Sequence, residues 1–369
     1  MAGRQQPDGK KDFGSMSRRD IYYWKCDRPA AFHGTQSRTA ADADLSQPLI
    51  AALREYFQTE LVSLSPGSGQ GNHLTWNADI AGNAAFIRVE HGPERDEHLA
   101  VESAVLDRVR ETGVKTPRVL GCDASRRRVP FAWQALERIA SPDLNHWFKL
   151  GMLHSRNIAF DIGAAVATWQ QITPAGFGAL DANLRGYRTT YADYYQLRLD
   201  EHLSFLVQRG FLTKEQRAAI AQEIDRHHSL LALAQGCLVH KDLALWNILG
   251  PADDIAAFID FDDAVSGDPL DDLSLLACFH DAEFVQQAFA GYQSIRALPN
   301  EYRRRFWLHL LRNMIVKAVI RVGAGYFERD GGFFLIGSGS SGADLRRFTH
   351  SRLQAAVCGL REDKGFEGL

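Results

Sequence analysis

A short polar segment between two apolar runs holds several side chains that are able to act together in a reaction. His240, Asp242 and Asn247 follow the apolar run 237–239, and Asp260 ends a second apolar run eighteen residues after Asp242. A carboxylate in the position of Asp242 orients or deprotonates an attacking hydroxyl. The Asn247 amide oxygen and the Asp260 carboxylate are hard ligands suited to Mg²⁺ held against the phosphates of ATP. Each residue alone is more simply a turn or a strand end, but the whole set at this spacing predicts a kinase catalytic loop and its metal-binding aspartate.

The segment resembles the aminoglycoside phosphotransferase and choline kinase family, a group of small-molecule kinases that share the protein-kinase fold. That family usually shows His-Gly-Asp-x-x-x-x-Asn, then Ile-Asp-Phe/Trp-x-x-Ala, then Gly-Asp-Pro and Asp-Leu. The corresponding residues here are His240-Lys241-Asp242…Asn247, Ile259-Asp260-Phe261-Asp262-Asp263-Ala264, Gly267-Asp268-Pro269 and Asp272-Leu273. The resemblance spans about residues 60–325 and is specific only in 237–273.

The resemblance implies an α+β, two-lobed protein-kinase-like fold, in which an N-terminal antiparallel sheet with one helix precedes a larger, mainly helical C-terminal lobe. We expect residues 1–20 to be a disordered tail, 21–140 the nucleotide-binding lobe and 141–369 the catalytic and substrate lobe. The resemblance further implies ATP and Mg²⁺ in the cleft and a small hydroxylated substrate as the partner. It assigns metal binding to Asn247 and Asp260, and catalysis to Asp242, His240 and Lys241.

Lys241 departs from the family pattern, which usually has glycine at this position. Glycine reaches positive φ without steric cost, whereas other residues do so rarely. The sequence therefore predicts a loop backbone that does not rely on positive φ at residue 241, and a cation next to the base.

A glycine-rich turn lies between two predicted strands of the first lobe. Backbone N–H groups of such a turn close over phosphates in nucleotide sites, although glycines with serine and glutamine also make ordinary hairpin connections. The Gly69-x-x-Asn72 pattern is similar to the phosphate loop of the family. The resemblance therefore places Gly69, Gly71 and Asn72 at the nucleotide.

Arg88 lies in the middle of an apolar strand predicted over 84–90, where a charge needs a partner. The next segment, 93–112, carries helix punctuation, and Glu102 lies on its inward apolar face. We expect Arg88 to pair with Glu102, which recreates the strand cation and helix acid that fix the α- and β-phosphates in kinases. A purely structural salt bridge is the alternative interpretation.

Two further strands are predicted at 116–122 and 129–139. By its order in the chain, the second resembles the hinge strand of the family, whose backbone groups bond adenine. The resemblance therefore places Gln134, Leu136 and Glu137 at the nucleotide base.

The remaining segments predict packing more than chemistry. The aromatic run 21–26 predicts a strand or extended arm on the first lobe, because such a cluster seldom stays in water. Helical patterns cover 49–57, 143 to about 235, 270–290, 301–326 and 343–360. We expect the aromatic residues of the helical lobe to be mostly core. The exceptions are Asp193, Tyr194 and Glu201, whose region resembles the inserted helices that shape acceptor sites in the family. Arg18 and Arg19 are predicted to be solvated. Arg312, Lys317 and Arg321 project from an apolar helix, where they either face the cleft or, as the favoured interpretation, snorkel to solvent.

Composition excludes several classes of protein. A net charge of −3 over 369 residues argues against a nucleic-acid partner, and five scattered cysteines indicate reduced thiols rather than a disulfide framework. The absence of a membrane-length apolar run or a signal-peptide pattern predicts a cytoplasmic protein with no membrane partner. These properties leave the oligomeric state open.

Two rival functions remain to be weighed. A protein Ser/Thr kinase needs a long activation segment, but Gly267-Asp268-Pro269 follows Asp260 almost at once. A catalytically silent nucleotide-binding protein would lack Asp242, Asn247 or Asp260, and all three are present. The sequence thus favours a small-molecule kinase whose acceptor is an aminoglycoside, another antibiotic, a sugar, an amino alcohol or an amino acid, with ATP or GTP as the donor.

Overall fold

Five antiparallel strands form the sheet of the first lobe in this computed structural model, which describes residues 17–28, 45–67, 73–91, 96–329 and 341–369. Their order in the sheet is β1-β2-β3-β5-β4. Ala81 and Gly82 join β2 to β3 with φ values of 51° and 85°. Positive φ at both positions of a two-residue loop matches the twist of the flanking strands, so this hairpin has a fixed register. The strands are β1 (Val62–Pro66), β2 (Leu74–Ile80), β3 (Asn83–Glu90), β4 (Val119–Asp123) and β5 (Ala132–Glu137).

Three α-helices lie among the described residues of this part of the chain. They are α1 (Trp24–Asp27), α2 (Ser46–Phe57) and α3 (His98–Glu111). Leu49 and Leu53, four residues apart on α2, are fully buried in the cluster that covers the sheet. Helix α3 starts at His98, later than the predicted residue 93, which lies outside the described residues. The inward face of α3 belongs to a second hydrophobic cluster that continues into the other lobe, so this helix connects the two cores.

The second lobe is mainly helical, and its described residues, 141–329 and 341–369, also form six short strands. Its helices are α4 (Leu144–Lys149), α5 (Ser155–Trp169), α6 (Tyr191–Tyr195), α7 (Leu199–Gln208), α8 (Lys214–Arg226), α9 (Asp271–Leu276), α10 (Ala282–Ile295), α11 (Tyr302–Gly323) and α12 (Gly342–Glu362). Its strands are β6 (Phe177–Leu180), β7 (Gly186–Arg188), β8 (Cys237–Val239), β9 (Ile248–Leu249), β10 (Ala257–Phe258) and β11 (Val265–Gly267). The helical prediction for 143–235 missed β6 and β7, which are too short to show a strand period.

The short strands position the polar segment of the second lobe. Residues 240–247 form the loop between β8 and β9. Each of these strands is held by a different partner, β8 by β11 and β9 by β10. Asp260 follows β10 directly. Helices α5 and α10 pack at close range, since a Cβ on Gly163 would lie 1.8 Å from the Ala288 carbonyl oxygen. The last residue of α5, Trp169, reaches the loop region: its ring lies 6.2 Å from that of His240, and its Nε1 donates to Asp272 at 3.3 Å.

The aromatic segment near the N-terminus packs against the second lobe, and the prediction that it packs on the first lobe is wrong. Tyr22 stacks on Tyr194 of α6 with ring centroids 4.9 Å apart, and the Arg312 guanidinium lies 3.6 Å from the centre of the Tyr22 ring. Trp24 begins a helical turn, not a strand. The partners of these rings come from distant helices, so no local pattern identifies them.

Arg18 is buried, in contrast to the predicted solvated charge at the end of a disordered tail. It begins a single 3-10 turn, Arg18–Asp20, and it is 4% exposed. Its amide donates to the Asp96 carboxylate at 3.0 Å, and its guanidinium donates to the Leu180 carbonyl at 3.1 Å. The predicted tail therefore reaches too far, while residues 1–16 lie outside the described residues.

Within the described ranges no helix is long and apolar enough to cross a membrane. The sheet-containing first lobe and the mainly helical second lobe confirm the predicted α+β architecture.

Asp27 anchors residues 17–28 through four hydrogen bonds to its buried carboxylate. Its oxygens accept from the amides of Tyr22 at 2.7 Å and Tyr23 at 3.1 Å. They also accept from His202 Nε2 at 2.7 Å and Arg198 Nε at 3.1 Å. Asp27→Ala leaves these donors without their acceptor, so we expect a loss on the order of 3 kcal/mol in the free energy of unfolding.

Urea denaturation of the purified variant measures this loss. Asp200→Ala is the control, because Asp200 forms an ion pair with Arg217 on the exposed surface and should change stability by less than about 1 kcal/mol. An Asp27→Ala protein as stable as the control would contradict the anchoring role.

Candidate active site

The loop that holds Asp242 is fixed by a buried carboxylate and a buried imidazole. Asp272 accepts the amide hydrogens of His240 at 2.9 Å and of Lys241 at 3.1 Å. The His240 ring donates through Nε2 to the Ile259 carbonyl at 2.9 Å, and its Nδ1 accepts from the Asp242 amide at 3.3 Å. His240 thus joins the loop to the residue before Asp260. Its ring is occupied by these structural contacts.

Lys241 adopts positive φ, at 72°, so the prediction that its backbone would avoid this conformation is wrong. Its side chain points into the second lobe and is 4% exposed. The ammonium contacts Asp271 at 2.7 Å, the Tyr22 hydroxyl at 2.9 Å and the Asn313 side-chain oxygen at 3.3 Å. Without this ammonium Asp271 would be buried and unpaired, which costs more than the positive φ of Lys241. The cation therefore lies on Asp271, and the structure does not bring it to Asp242.

Asp242 is a buried carboxylate held between two ammonium groups. Lys317 Nζ lies 3.4 Å from its Oδ1, and Lys25 Nζ lies 3.6 Å from its Oδ2. Burial would raise the pKa of Asp242, but the two lysines outweigh this effect and hold the pKa below its usual range. The carboxylate is therefore ionised at neutral pH, as an acceptor of a hydroxyl proton must be.

Asn247 and Asp260 are the two residues that the sequence predicts to bind a cation. The Asn247 side-chain NH₂ donates to the Asp242 carbonyl oxygen at 2.8 Å, and this orientation leaves the amide oxygen as the ligand atom. Asp260 has a backbone φ of 69°, which aspartate tolerates better than most residues, and its side chain is 34% exposed. Burial and the neighbouring Asp262 raise the pKa of Asp260, because negative charge is in excess here.

Arg88 forms the expected ion pair with Glu102 and extends it across the cleft. One guanidinium nitrogen contacts Glu102, which is fully buried. A second nitrogen contacts Asp260 Oδ1 at 2.8 Å and Asp262 Oδ2 at 3.0 Å. Burial raises the pKa of Glu102 to about 8 despite the cation, so three carboxylates compete for one positive charge.

Two carboxylates that were not predicted as site residues, Asp262 and Asp263, complete this cluster. Asp262 accepts from His73 Nε2 at 2.9 Å; burial would raise its pKa, but Arg88 and His73 hold it well below the usual range. Asp263 accepts from the Trp24 indole N–H at 2.9 Å, and burial followed by the charges of Asp262 and Asp242 raises its pKa well above the ordinary value. The run of acids after Ile259 was the signal that identifies them.

The three cations of helix α11 are buried, so the prediction that they snorkel to solvent is wrong. Arg312 is 0% exposed and donates to the carbonyls of Tyr195 at 3.0 Å and Leu197 at 2.7 Å. Arg321 donates to Thr349 at 2.8 Å. Lys317 faces Asp242. Each cation has a polar partner from another element, which a helical pattern alone does not show. Tyr191 and Tyr195 of α6 are buried, as predicted, and Tyr194, expected as an exception, is buried with them.

The nucleotide residues predicted in the first lobe stay predictions. Gly69, Gly71 and Asn72 lie outside the described residues. Gln134, Leu136 and Glu137 belong to β5, which pairs with β3 on one side and β4 on the other. The Gln134 side chain donates to Ser103 Oγ at 2.9 Å. Because the ladders engage the strand on both sides, the chain just after β5 is better placed than β5 itself to contact adenine.

Solved structures with the same fold are phosphotransferases. A thermostable mutant of aminoglycoside phosphotransferase APH(4)-Ia, in ternary complex with AMP-PNP and hygromycin B, superposes with a TM-score of 0.58 at 20% identity, covering 84% of this chain and 98% of that one. A protein predicted to be a fructosamine-3-kinase from Haemophilus somnus 129PT gives 0.57 at 15% identity, with 83% and 96% covered. A choline/ethanolamine kinase family protein from Mesorhizobium loti gives 0.54 at 17% identity, with 86% and 99% covered.

The fold is therefore that of small-molecule kinases with two lobes. The model of the phosphotransferase enzyme family matches residues 64–307, and the chain belongs to this family. It is a phosphotransferase of the small-molecule kinase class. Among curated proteins, none matches the sequence significantly.

Lys241→Gly tests which of two opposing effects dominates at the loop. Glycine removes a backbone cost of about 1–2 kcal/mol at positive φ. It also removes the buried ammonium from Asp271, which costs about 3 kcal/mol or more. We expect a net decrease in the free energy of unfolding, measured by urea denaturation.

Lys241→Met is the matched variant, since it keeps the backbone cost and loses only the charge. It should be less stable than Lys241→Gly by about 1 kcal/mol. A glycine variant more stable than the wild type would show that the ion pair contributes little.

Proposed function

We propose that the protein transfers the γ-phosphoryl group of ATP to a hydroxyl of a small molecule, with Asp242 as the base. The observation that carries this proposal is the position of an ionised, buried carboxylate beside Asn247, whose side chain approaches Asp242 Oδ2 at 3.3 Å. Asp260 lies on the adjoining loop, bonded to the strand cation Arg88. Base, metal ligands and phosphate cation thus belong to one connected network across the cleft.

The proposed reaction is an in-line displacement. A bond forms between the acceptor oxygen and the γ-phosphorus, and the bond from that phosphorus to the β,γ-bridging oxygen breaks, so ADP leaves. The hydroxyl proton passes to Asp242, which is ionised because two lysines hold its pKa low. The hydrogen bonds from the loop to Asp272 keep the Asp242 carboxylate in position, so that a bound acceptor has its hydroxyl oriented toward the base.

The residues around Asp260 fit a divalent cation. The donor set consists of oxygens from Asn247 and Asp260, which are the ligands that Mg²⁺ prefers. Burial and the charge of Asp262 raise the pKa of Asp260 despite its bond to Arg88. When bound, Mg²⁺ would neutralise phosphate charge at this position. Arg88 would contribute a second contact to the phosphates from its place on β3.

The acceptor class stays broad at this stage. The APH(4)-Ia complex contains hygromycin B, a fructosamine kinase takes a sugar derivative by its name, and a choline kinase takes an amino alcohol by its name. A screen for ADP release across hydroxylated antibiotics, sugars and amino alcohols identifies the acceptor of this protein. GTP is tested beside ATP in the same assay.

We predict that ATP binds more tightly in the presence of Mg²⁺ than in EDTA, because Asn247 and Asp260 hold the metal against the phosphates. Titration calorimetry of the wild type and Asp260→Asn measures this difference. The variant should lose the metal dependence, and Asp253→Asn, an exposed control, should retain it. Equal affinity with and without metal in the wild type would count against the site.

Asp242→Asn should lower the transfer rate by about 10²- to 10⁴-fold and leave the ATP affinity nearly unchanged. The isosteric amide keeps the shape of the loop but accepts no proton. Steady-state rates with the acceptor from the screen, together with calorimetry for ATP, separate the two effects.

The same exposed control, Asp253→Asn, should turn over at the wild-type rate. If Asp242→Asn retains activity within a few-fold of the wild type, Asp242 is not the base and the proposed mechanism is wrong.

A further inference from the structure

Residues 17–28, which we call the N-terminal segment, are held at the active site by buried charges at both ends. The Arg18 amide donates to Asp96, and the buried Arg18 guanidinium contacts His98 Nδ1 at 2.5 Å and the Leu180 carbonyl at 3.1 Å. Asp27 binds His202 and Arg198 of the second lobe. Displacing the segment would leave these charges desolvated and unpaired, so substrate binding is not expected to remove it. The segment is a fixed part of the site.

The middle of the segment contacts the carboxylates of Asp263 and Asp242. The Trp24 indole donates to Asp263 at 2.9 Å. The next residue, Lys25, places its ammonium 3.6 Å from Asp242 Oδ2. This ammonium also lies over the Trp24 ring, 5.1 Å from its centre, which limits the directions in which the side chain can move. Lys25 therefore belongs to the site, although it precedes the family match.

Lys25 and Lys317 differ in their access to solvent. The side chain of Lys317 is 10% exposed and covers one oxygen of Asp242 from inside the lobe. The side chain of Lys25 is 31% exposed and covers the other oxygen from the open side. A substrate that reaches Asp242 from solvent therefore meets Lys25. Lys317 is placed to position the carboxylate, whereas Lys25 is placed to contact substrate.

We propose that Lys25 is a further catalytic residue, whose ammonium contacts the γ-phosphoryl group while it passes from ATP to the acceptor. This inference rests on the proposed function. The charge of Lys25 acts on Asp242, the proposed base, and on Asp260, the proposed metal ligand. The phosphoryl group travels between these two positions, and negative charge spreads over its equatorial oxygens during transfer. An ammonium fixed there stabilises that charge without taking part in bond making or breaking.

The alternative is an ion pair that only holds Asp242 in place. In that case Lys25 would act through the carboxylate and would not touch MgATP. The two possibilities differ in whether bound nucleotide shields the Lys25 amine from reagents in solution.

The first experiment measures acetylation of lysines by limiting acetic anhydride, followed by mass spectrometry, with the full-length protein in Mg²⁺ alone and in Mg²⁺ with saturating ATP. We expect MgATP to lower the modification of Lys25 several-fold and to leave the exposed Lys214 unchanged. Unchanged acetylation of Lys25, with binding of ATP verified by calorimetry, would overturn the contact.

The second experiment compares ADP release by Lys25→Met and Lys25→Arg, with water as the acceptor and with the acceptor from the screen. Loss of one charge-stabilising donor should lower the rate of Lys25→Met by about 10²- to 10³-fold, mainly in kcat. Lys25→Arg keeps the positive charge and should recover part of the rate. Arg19→Met, which removes an exposed cation of the same segment, should behave as the wild type. Melting temperatures check that each variant is folded.

The outcomes separate this inference from the proposed function. If Lys25→Met keeps the wild-type rate while Asp242→Asn loses it, the role of Lys25 is wrong and the function stands. If Asp242→Asn keeps the wild-type rate, the proposed function itself fails. Equal losses in Lys25→Met and Lys25→Arg, without nucleotide protection of Lys25, would identify a structural ion pair.

Discussion

The guanidinium of Arg88 is the contact on which the arrangement of the site depends. It bonds a carboxylate of its own lobe, Glu102, and two carboxylates of the other lobe, Asp260 and Asp262. Fully buried ion pairs contribute little net stability because desolvation offsets the attraction, but removing one partner is costly. The network therefore serves geometry: it fixes the strand, the helix and the loop relative to each other across the cleft.

The pair of Arg88 and Glu102 could be predicted because both positions are set by local periodicity. A charge inside an apolar strand needs a partner, and the apolar face of the next helix contains one acid. The contact between Lys25 and Asp242 had no such signal. These residues are 217 positions apart, and Lys25 follows two tyrosines and a tryptophan that suggested packing alone. The sequence pattern within an element defines which face is buried, but it does not identify the partner from a distant element.

Lys241 shows a different reason for a wrong expectation. Positive φ costs lysine about 1–2 kcal/mol. Leaving Asp271 buried without its ammonium partner would cost about 3 kcal/mol or more. Asp271 and Asn313, which hold the ammonium, lie 30 and 72 residues away. Glycine has the lowest backbone cost at positive φ, but at residue 241 the buried contacts of the ammonium outweigh this preference. Tertiary contacts also explain the burial of Arg312, which donates to the carbonyl of Tyr195 at the end of α6 and to that of Leu197 in the link to α7.

Charge is distributed unevenly along the cleft: carboxylates are in excess around Arg88, and ammonium groups are in excess around Asp242. Around Arg88, burial and the presence of three carboxylates beside one cation raise the pKa values of Glu102 and Asp260, and a divalent cation would be stabilised there. Around Asp242 the balance is reversed, because one carboxylate lies between the two ammonium groups of Lys25 and Lys317. A phosphoryl group that moves from the first position to the second would pass from metal-bound charge to fixed ammonium charge. The N-terminal segment supplies half of the positive charge at the second position, so the catalytic unit of this protein extends beyond the residues that define its family.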